Sequence, residues 1–435
     1  MNDRRKLVVT PVPPPDLSTL FEGRRVHRLA YTDHSVFRLE MDNIFGGTWV
    51  FLAHESQLPE PNDYLTVPIG GRSVIVTHGV DGNYHALLNR CMHRGVELCT
   101  TTTGNAKRFT CAYHGWTYAN DGRCVGVPFP GPYGSDFRRE EFNLGAMARI
   151  DVCEGLVFGS FNPDVLPLRE HLGAAADVLR DWRMRAPGGR IEARANARRI
   201  AISGNWKLCW DNAADGYHAA FVHESLVSMT NERHGDGKSL SHFDNDPDKL
   251  PMVSHDFGRG HQFLDQRPSI ADDRWAHARP VPGRDELVAA LHRDHSAENV
   301  KRWLDLVPGA AMNISIFPNL FISGNLIATC EPIAPGRTHM TEYATTYPAV
   351  PDEVNQLRLR FAEDFVNFGE PDDIEMWERT QRGLEIGEIE WLEVSRGAGL
   401  PADQLRDGNG VATIPISWET PLRGYLTEWQ KLLAR

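Results

Sequence analysis

Two short stretches of sequence, NRCMHRG at residues 89–95 and FTCAYHGWTY at residues 109–118, decide the fold of this chain. Each stretch holds one Cys and one His, with one intervening residue in the first and two in the second. Two thiolates and two imidazoles in paired loops suit a [2Fe–2S] cluster in which one iron takes both Cys and the other takes both His. Because neutral imidazoles replace two thiolates, such a cluster accepts an electron more readily than an all-Cys cluster. The candidate ligands are Cys91, His93, Cys111 and His114.

The same four side chains also suit a structural zinc ion, because two Cys and two His form a common zinc site. The flanking residues favour the cluster, since both stretches match the Rieske pattern almost position for position. We therefore predict a Rieske [2Fe–2S] cluster, with zinc as the alternative. A cluster of this kind transfers electrons and transforms no substrate by itself, so an enzyme needs a second site.

The second signal is GNWKLCWDNAADGYHAAFVH at residues 204–223. His218 and His223 lie five residues apart on a predicted helix, and Asp215 precedes His218 by three residues. Two imidazoles and a distant carboxylate form the facial triad of non-heme Fe(II) oxygenases, which leaves positions open for O2 and substrate. On a regular helix, side chains five residues apart point in directions that differ by about 140°. We therefore expect a local distortion of the helix, or wide rotamers, if both His bind one iron. Two His on a helix are more often packed or solvated than metal-bound, but a Rieske motif in the same chain favours iron.

With both motifs in place, the chain resembles the large (alpha) subunit of Rieske non-heme iron aromatic-ring-hydroxylating dioxygenases. The resemblance is greatest to the benzoate and anthranilate dioxygenase-like group. It implies an α+β chain with a small all-β Rieske [2Fe–2S] domain and a catalytic domain, in which helices cover an antiparallel β-sheet and a mononuclear iron. The subgroup is indicated by YTD at residues 31–33, HESQLPEPNDY at 54–64, DGYHAAFVH at 215–223 and LFISG at 320–324.

The resemblance also implies roles for single residues. Asp373 matches the third iron ligand. Asp372 is the alternative ligand, or the two residues divide the roles of iron ligand and helix N-cap between them. From the sequence alone, an Asp at this position is more simply a helix N-cap. Asp215 matches a carboxylate that bridges the cluster of one subunit to the iron of its neighbour, where it accepts hydrogen bonds from imidazoles on both sides. The alternative for Asp215 is an ordinary position on a helix surface. Asn212 matches a position near the iron.

Three regions are predicted along the chain: an N-terminal arm and helix at residues 1–40, the Rieske domain at 41–161, and the catalytic domain with its mononuclear iron at 162–435. Short β-type runs broken by Gly and Pro fill the second region, with the cluster loops between strands. The third region mixes strands with amphipathic helices. Helices are predicted at residues 168–182, 285–307 and 351–368, and strands at 198–203, 312–322 and 340–347.

Composition and charge exclude several classes of protein. The net charge of −12 over 435 residues, with no basic tract to offset it, argues against nucleic acid as a partner. No run of 18 apolar residues is present and the N-terminus lacks an apolar signal region, so we expect no membrane span and no export. Two of the seven Cys are assigned to the cluster, and the other five are most simply reduced thiols. This usage predicts a reducing compartment, with the cytoplasm as the default.

These patterns predict the terminal oxygenase component of a ring-hydroxylating dioxygenase, which uses O2 to convert an aromatic substrate into a cis-dihydrodiol. No nicotinamide or flavin fingerprint is visible, so electrons are expected from NADH through a separate reductase, with or without a ferredoxin. The resemblance implies a homotrimer, with or without a small β subunit (α3β3), and a monocyclic aromatic carboxylate as the substrate. Two alternatives stay open: a Rieske monooxygenase that hydroxylates or demethylates, and a Rieske electron carrier without catalytic iron.

The substrate pocket is harder to predict from sequence. We expect His255 and His261, which flank FGRG, to lie in a loop over the pocket. The predicted lining residues are Leu226, Phe317, Leu320 and Phe321.

Overall fold

The computed structural model describes residues 15–193, 197–226, 228, 232, 252–266, 283–303, 312–400 and 402–435. Small antiparallel sheets carry the cysteine–histidine loops, and one large antiparallel sheet forms the base of the remaining part. Within the residues just given, no helix combines the length and the apolar character needed to cross a membrane.

The N-terminal segment consists of short elements that pack on the C-terminal part of the chain. They are β1 (Arg25–His27), α1 (Leu29–Thr32), α2 (His34–Leu39) and a π-helical turn at Glu40–Ile44. Asp33 begins α2, because its carboxylate accepts hydrogen bonds from the backbone N–H groups of Ser35 and Val36. Strand β1 pairs with residues near the end of the chain, in the register Val26 to Leu392.

A buried ion pair joins the N-terminal segment to two helices of the catalytic region. Glu40 and Lys207 are both fully buried and bind each other through their charged groups. The indole N–H groups of Trp206 and Trp429 also donate to the Glu40 carboxylate, at 2.8 and 2.7 Å. Burial lowers the pKa of Lys207, and the charge of Glu40 opposes this effect. Because removal of one partner would leave an uncompensated buried charge, either truncation is expected to be strongly destabilising.

The cysteine–histidine loops lie on a scaffold of ten short strands. They are β2 (Val50–His54), β3 (Asp63–Ile69), β4 (Arg72–His78), β5 (Tyr84–Leu88), β6 (Thr103–Asn105), β7 (Arg108–Thr110), β8 (Thr117–Ala119), β9 (Cys124–Gly126), β10 (Arg149–Cys153) and β11 (Leu156–Ser160). Three antiparallel sheets have the orders β5-β4-β3-β6, β7-β8-β9 and β10-β11-β2. The first loop follows β5 and the second connects β7 to β8, so both lie between strands as predicted.

The catalytic region is built on a nine-stranded antiparallel sheet. The strands of this region are β12 (Glu192–Ala193), β13 (Arg198–Ile202), β14 (Val253–Gly258), β15 (His261–Asp265), β16 (Met312–Ile316), β17 (Leu320–Ser323), β18 (Leu326–Ala334), β19 (Arg337–Thr346), β20 (Trp391–Glu393) and β21 (Ala412–Pro415). The sheet order is β12-β19-β18-β17-β16-β15-β14-β21, and β13 also pairs with β19. Strand β20 lies outside this sheet and pairs with β1. The predicted single strand at 312–322 is wrong: it is the hairpin β16–β17, because Pro318 at the turn cannot donate to a sheet ladder.

Helices surround this sheet. They are α3 (Leu168–Leu172), α4 (Ala175–Met184), α5 (Trp206–Ala214), α6 (Ala219–Val222), α7 (Arg284–Asp294), α8 (Ala297–Trp303), α9 (Asp352–Phe368), α10 (Glu370–Leu384) and α11 (Thr420–Leu433). Helix α9 confirms the amphipathic helix predicted at 351–368. The helix predicted at 168–182 breaks at Gly173, whose φ of 55° is left-handed. The helix predicted at 285–307 is divided into α7 and α8, and residues 304–307 lie outside the described residues. The predicted α+β class is confirmed, with a β-rich part that carries the cysteine–histidine loops and a helix-covered antiparallel sheet.

The two faces of the large sheet have different surroundings, because successive residues of a strand point to opposite sides. One face packs into a hydrophobic core with Trp49, Leu168 and Trp182. The other face lines a cavity beneath α5, α9 and α10. Core-facing positions include Ile314, Ile316, Leu320, Ile322 and Ile327, and cavity-facing positions include Asn313, Ser315, Phe321, Ser323, Leu326, Ala328, Met340 and Glu342.

Candidate functional site

The two cysteine–histidine loops have the same backbone conformation. In the first, the N–H of Cys91 donates to the carbonyl of Val96 at 2.7 Å, and the N–H of Gly95 donates back to Cys91 at 2.9 Å. In the second, the N–H of Cys111 donates to the carbonyl of Trp116 at 2.7 Å, and the N–H of Gly115 donates to the carbonyl of Cys111 at 2.9 Å. Gly95 and Gly115 have φ values of 79° and 72°, a left-handed conformation that favours glycine at both turns.

The imidazoles of the two loops lie side by side at the edge of this region. The ring centroids of His93 and His114 are 4.6 Å apart, and Trp116 stacks on His93 at 5.1 Å with nearly parallel planes. The Nδ1 atoms of both histidines are buried and have no hydrogen-bond partner among the described residues. Cys91 and Cys111 of the same two loops are buried free thiols. Orphaned ring nitrogens and buried free thiols in paired loops fit a metal cluster, because buried polar atoms otherwise find partners.

The segment with the second pair of histidines is not the single helix that the sequence predicted. Helix α5 ends at Ala214, and Asp215 is extended with φ −121° and ψ 147°. His218 and His223 stand at the two ends of the short helix α6, as its N-cap and C-cap. Gly216 allows the break, because a Cβ there would lie 2.8 Å from Leu264 Cδ1. This break supplies the distortion that five-residue spacing requires.

His218, His223 and Asp373 converge on one point. Asp373 Oδ1 lies 3.7 Å from Nε2 of His218 and 3.4 Å from Nε2 of His223. One candidate ligand atom from each residue lies within 4.8 Å of the other two. These gaps exceed hydrogen-bond lengths but suit a metal ion with bonds of about 2.0–2.2 Å. Asp373 Oδ1 is buried with no hydrogen-bond partner among the described residues, which also fits an ion at this point.

Asp215 orients His218 toward that point. Its Oδ1 lies 2.9 Å from Nδ1 of the ring and accepts the backbone N–H of His218 at 3.0 Å. Burial alone would lower the pKa of His218, but the hydrogen bond and charge of Asp215 outweigh it and raise the pKa. Burial also raises the pKa of Asp373, against the opposing charges of His223 and His218. The proton on Nδ1 is therefore held by Asp215, and Nε2 is left for a metal.

Asp372 occupies a different place from Asp373. Both lie inside the first turn of α10, and Gly369 is at the N-cap, so the N-cap alternative is wrong for both. Asp372 Oδ2 lies 3.7 Å from Nδ1 of His223 and accepts a hydrogen bond from Ser225 Oγ at 3.3 Å. Asp373 thus faces both Nε2 atoms, whereas Asp372 faces the outer nitrogen of one ring.

Asn212 and Asp211 lie just before this centre on α5. The Asn212 side chain lines the cavity and hydrogen-bonds to Asp373. Asp211 accepts hydrogen bonds from the hydroxyls of Tyr31, at 3.3 Å, and Tyr425. Burial raises the pKa of Asp211 to about 7, although these hydrogen bonds oppose the rise. The contacts with Tyr31 and Tyr425 were not foreseen, because these tyrosines are distant in sequence.

A cavity of about 240 Å³ lies between the convergence point and the cavity-facing side of the sheet. Its walls are mostly apolar, with a few amide, hydroxyl and carboxyl groups. Of the predicted lining residues, Leu226 and Phe321 line the cavity. The prediction is wrong for Leu320, which lies in the core on the far face of the sheet, and for Phe317, which packs against Trp206 and Trp210.

The loop predicted around FGRG is a β-hairpin. His255 lies in β14 and His261 in β15. His261 is buried against His171, with ring centroids 4.9 Å apart, and its Nδ1 accepts the N–H of Phe317 at 3.1 Å. Neither histidine is among the described residues that line the cavity.

Comparison with known proteins places these two centres in one family. Residues 48–143 match the Rieske [2Fe-2S] domain, and residues 189–399 match the ring hydroxylating alpha subunit (catalytic domain). The 2-halobenzoate 1,2-dioxygenase large subunit of Burkholderia cepacia is 33% identical over 388 residues, which cover 86% of this chain and 80% of that protein. The chain belongs to the ring-hydroxylating dioxygenase large-subunit family.

Further relatives of this large subunit agree with the predicted subgroup. The anthranilate 1,2-dioxygenase large subunit of Acinetobacter baylyi is 30% identical over 385 residues, covering 86% of this chain and 80% of that protein. The crystal structure of naphthalene 1,2-dioxygenase from Rhodococcus sp. bound to indole superposes with a TM-score of 0.77 at 27% identity, and covers 94% of both chains. The benzoate and anthranilate dioxygenase-like prediction is confirmed.

Family membership decides between the alternatives for the two metal centres. The large subunit carries a Rieske [2Fe–2S] cluster and a mononuclear iron, so a structural zinc site and a bare electron carrier are both wrong. The residues present fit both groups, since each centre holds buried nitrogen or oxygen atoms that are without hydrogen-bond partners among the described residues.

A carboxyl pair forms one wall of the cavity in the large subunit. Arg198 Nη1 binds Glu342 at 3.1 Å and also binds Glu370, and both carboxyl groups are buried. Burial, with the hydrogen bond and charge of Glu342, raises the pKa of Glu370 to about 9, against the opposing charge of Arg198. At neutral pH the Glu370 carboxyl is therefore protonated, and the Arg198 guanidinium offsets negative charge on this wall.

Tyr118 is expected to tune the reduction potential of the cluster. Its hydroxyl accepts the N–H of Met92 at 3.0 Å and lies 3.4 Å from Cys91 Sγ, so its own proton is available to the sulfur. Burial raises the pKa of Tyr118, which keeps the hydroxyl protonated. A hydrogen bond to a cluster sulfur favours the reduced, more negative state.

A Tyr118→Phe variant should therefore have a lower cluster potential, by tens of millivolts, because about 59 mV corresponds to about 1.4 kcal/mol in a one-electron couple. A redox titration followed by EPR measures this shift. Tyr113→Phe, at an exposed tyrosine of the second cysteine–histidine loop, is the control. Equal potentials in all three proteins would remove the assigned role of Tyr118.

Proposed function

We propose that this large subunit dihydroxylates a monocyclic aromatic carboxylate, adding both atoms of O2 to adjacent ring carbons to give a cis-dihydrodiol. The convergence of His218, His223 and Asp373 on a cavity of about 240 Å³ carries this proposal. That volume is below the about 300–1,000 Å³ typical of drug-sized ligands, and it suits a single ring. The carboxylate substituent follows from relatives that are named for 2-halobenzoate and anthranilate.

In this proposal His218, His223 and Asp373 hold the mononuclear iron, and Cys91, His93, Cys111 and His114 hold the cluster. When bound, the cluster supplies electrons and the mononuclear iron supplies O2 activation. The protein holds the substrate ring between the three ligands and the sheet, and its apolar walls exclude water. Asn212 fixes the Asp373 carboxylate, and Asp215 fixes the proton on the outer nitrogen of His218.

We further propose that Asp215 bridges the iron centre of one subunit to the cluster of the next. Asp215 is 17% exposed and His218 21%, so their edge is reachable from outside the chain. Phe221, between the two iron histidines, is 75% exposed, and Tyr113 beside the cluster is 56% exposed. Apolar groups exposed at both centres suit burial at a subunit interface. The bridge requires a neighbouring subunit, which agrees with the homotrimer, with or without a small β subunit as α3β3, that the family resemblance implies. A purified oxygenase that sediments as single large subunits would contradict it.

Partner proteins complete the proposed reaction. Electrons come from NADH through a reductase, with or without a ferredoxin, because the described residues show no nucleotide-binding fingerprint. The five Cys outside the cluster are free thiols, which supports a reducing compartment such as the cytoplasm. The proposed division of the chain is an N-terminal arm and helix at 1–40, a Rieske domain at 41–161 and a catalytic domain at 162–435.

Product analysis under 18O2 tests the proposed reaction. Turnover of benzoate by the holoenzyme with a reductase should give a cis-dihydrodiol that carries two labelled oxygens. A single labelled oxygen, or loss of a methyl group from a methoxy or methylamino substrate, would replace dioxygenation with monooxygenation.

A further inference from the structure

Two polar side chains on strand β16 face the cavity of the large subunit. Asn313 and Ser315 are two residues apart and share the cavity-facing side, and Ile314 between them packs in the core. A strand rises about 3.4 Å per residue, so these side chains stand roughly 7 Å apart on the wall opposite the iron ligands. They lie where a substituent on the far side of a bound ring would meet the sheet.

Most other polar side chains in the described cavity wall are already engaged. Asn212 hydrogen-bonds to Asp373, and the amide nitrogen of Asn325 donates to the carbonyl of Arg358. The hydroxyl of Ser323 donates to Asn313 Oδ1 at 2.9 Å. Gln266 is also engaged in an interaction. The uncommitted donors among the described lining residues are the amide nitrogen of Asn313, the hydroxyl of Ser315 and the buried indole N–H of Trp377. Trp377 lies on α10 with Asp373, so the two donors on the sheet side of the cavity are Asn313 and Ser315.

Ser323 fixes the orientation of the Asn313 amide. Asn313 and Ser323 are direct partners in the β16–β17 pairing, so their side chains meet on the same face. Because Asn313 Oδ1 accepts the Ser323 hydroxyl, the amide NH2 is turned away from Ser323 with its donors available. An ionised carboxylate has only acceptor atoms and therefore suits such donors.

We propose that Asn313 and Ser315 form the subsite that binds the carboxylate of the aromatic substrate. This inference rests on the proposed function and names the groups that select its substrate. Among the described lining residues no Lys or Arg is present, so the subsite recognises the carboxylate by neutral hydrogen-bond donors. The Arg198 guanidinium bridges Glu342 and Glu370 and offsets negative charge on that wall of the cavity.

The test compares two ligands of similar shape, benzoate and toluene, on the holoenzyme. Titration of each ligand gives a Kd for the wild type and for Asn313→Leu, Ser315→Ala and Asn313→Asp. Asn313→Leu should raise the Kd of benzoate by about 10–100-fold, because hydrogen bonds to charged groups contribute about 1.5–3 kcal/mol. Ser315→Ala should give a smaller rise, and Asn313→Asp the largest, because it places a second carboxylate against the ligand.

Toluene and an exposed substitution provide the controls. The Kd of toluene should change less than threefold in Asn313→Leu and Ser315→Ala, and Asn367→Leu, at an exposed position on α9, should leave both Kd values unchanged. Iron content and the cluster EPR signal report whether each variant folds.

Two outcomes overturn the inference and can be told apart. If wild-type enzyme binds and oxidises benzoate, but Asn313→Leu keeps the wild-type ratio of benzoate to toluene affinity, the subsite assignment fails and the proposed function stands. If the wild type binds toluene but no aromatic carboxylate, the proposed substrate class fails and the subsite fails with it.

Discussion

An Asp373→Ala variant is expected to lose its mononuclear iron and all measurable oxygenation while it keeps the [2Fe–2S] cluster. Asp373 Oδ1 faces the Nε2 atoms of His218 and His223 at 3.7 and 3.4 Å and is buried without a hydrogen-bond partner among the described residues. Removal of this oxygen leaves the iron with two protein ligands. Loss of a side chain that only hydrogen-bonds to a metal ligand lowers metal affinity by about 10–100-fold, so loss of a ligand itself should lower iron affinity by more than that. Metal analysis should find about two irons per chain instead of about three.

Asp372→Ala is the matched control, since it removes a neighbouring carboxylate from the same turn of α10. Asp372 faces the outer nitrogen of His223 at 3.7 Å, so its loss should weaken iron binding about 10–100-fold without abolishing it. Competition with a chelator measures both affinities. The ligand assignment is reversed if Asp372→Ala loses the iron and Asp373→Ala retains it.

An Asp215→Asn variant should keep both metal centres and lose about 100-fold in turnover. The carboxylate holds Nδ1 of His218 at 2.9 Å, and such outer partners of metal ligands typically contribute 10–100-fold to activity. The substitution also removes the negative charge of Asp215, which we propose bridges the iron centre of one subunit to the cluster of the next. Because the hydrogen bond and charge of Asp215 raise the pKa of His218 in the iron-free protein, the variant should show a lower pKa for this ring by NMR.

Glu363→Gln, at an exposed acid on α9, is the control for the loss of one negative charge. Iron content, the cluster potential and the rate of product formation are measured for each protein. Wild-type turnover in Asp215→Asn, with an unchanged pKa for His218, would reduce Asp215 to a surface residue of the helix end.

The metal centres could be predicted from sequence because each is carried by a short, local pattern. Cys91 and His93 lie within one turn, and so do Cys111 and His114, so spacing alone specifies the ligand pairs. The position of Asp373 required the family resemblance, since it lies 150 residues after His223 and meets it only through packing.

The path of the backbone around the iron ligands could not be read from periodicity. The break after Ala214 depends on Gly216 fitting against Leu264 of β15, a contact that exists only in the folded sheet. The hairpin at β16–β17 was concealed because the residues on both sides of the turn have strand-type patterns, and Pro318 with Asn319 was the signal between them. The roles of Asn313 and Glu342 were missed because a strand pattern does not say which of its faces meets a cavity.

The alternation along strands β16 to β19 has a consequence for how this enzyme can change. Its isoleucines hold a hydrophobic core on one side, whereas the positions between them face the cavity, where Phe321 also packs against Trp210. Selection can therefore alter the substrate range one position at a time with little loss of folding stability. A library confined to residues 313, 315 and 323 should retain a high fraction of folded proteins, and the same number of changes at residues 314, 316 and 322 should not.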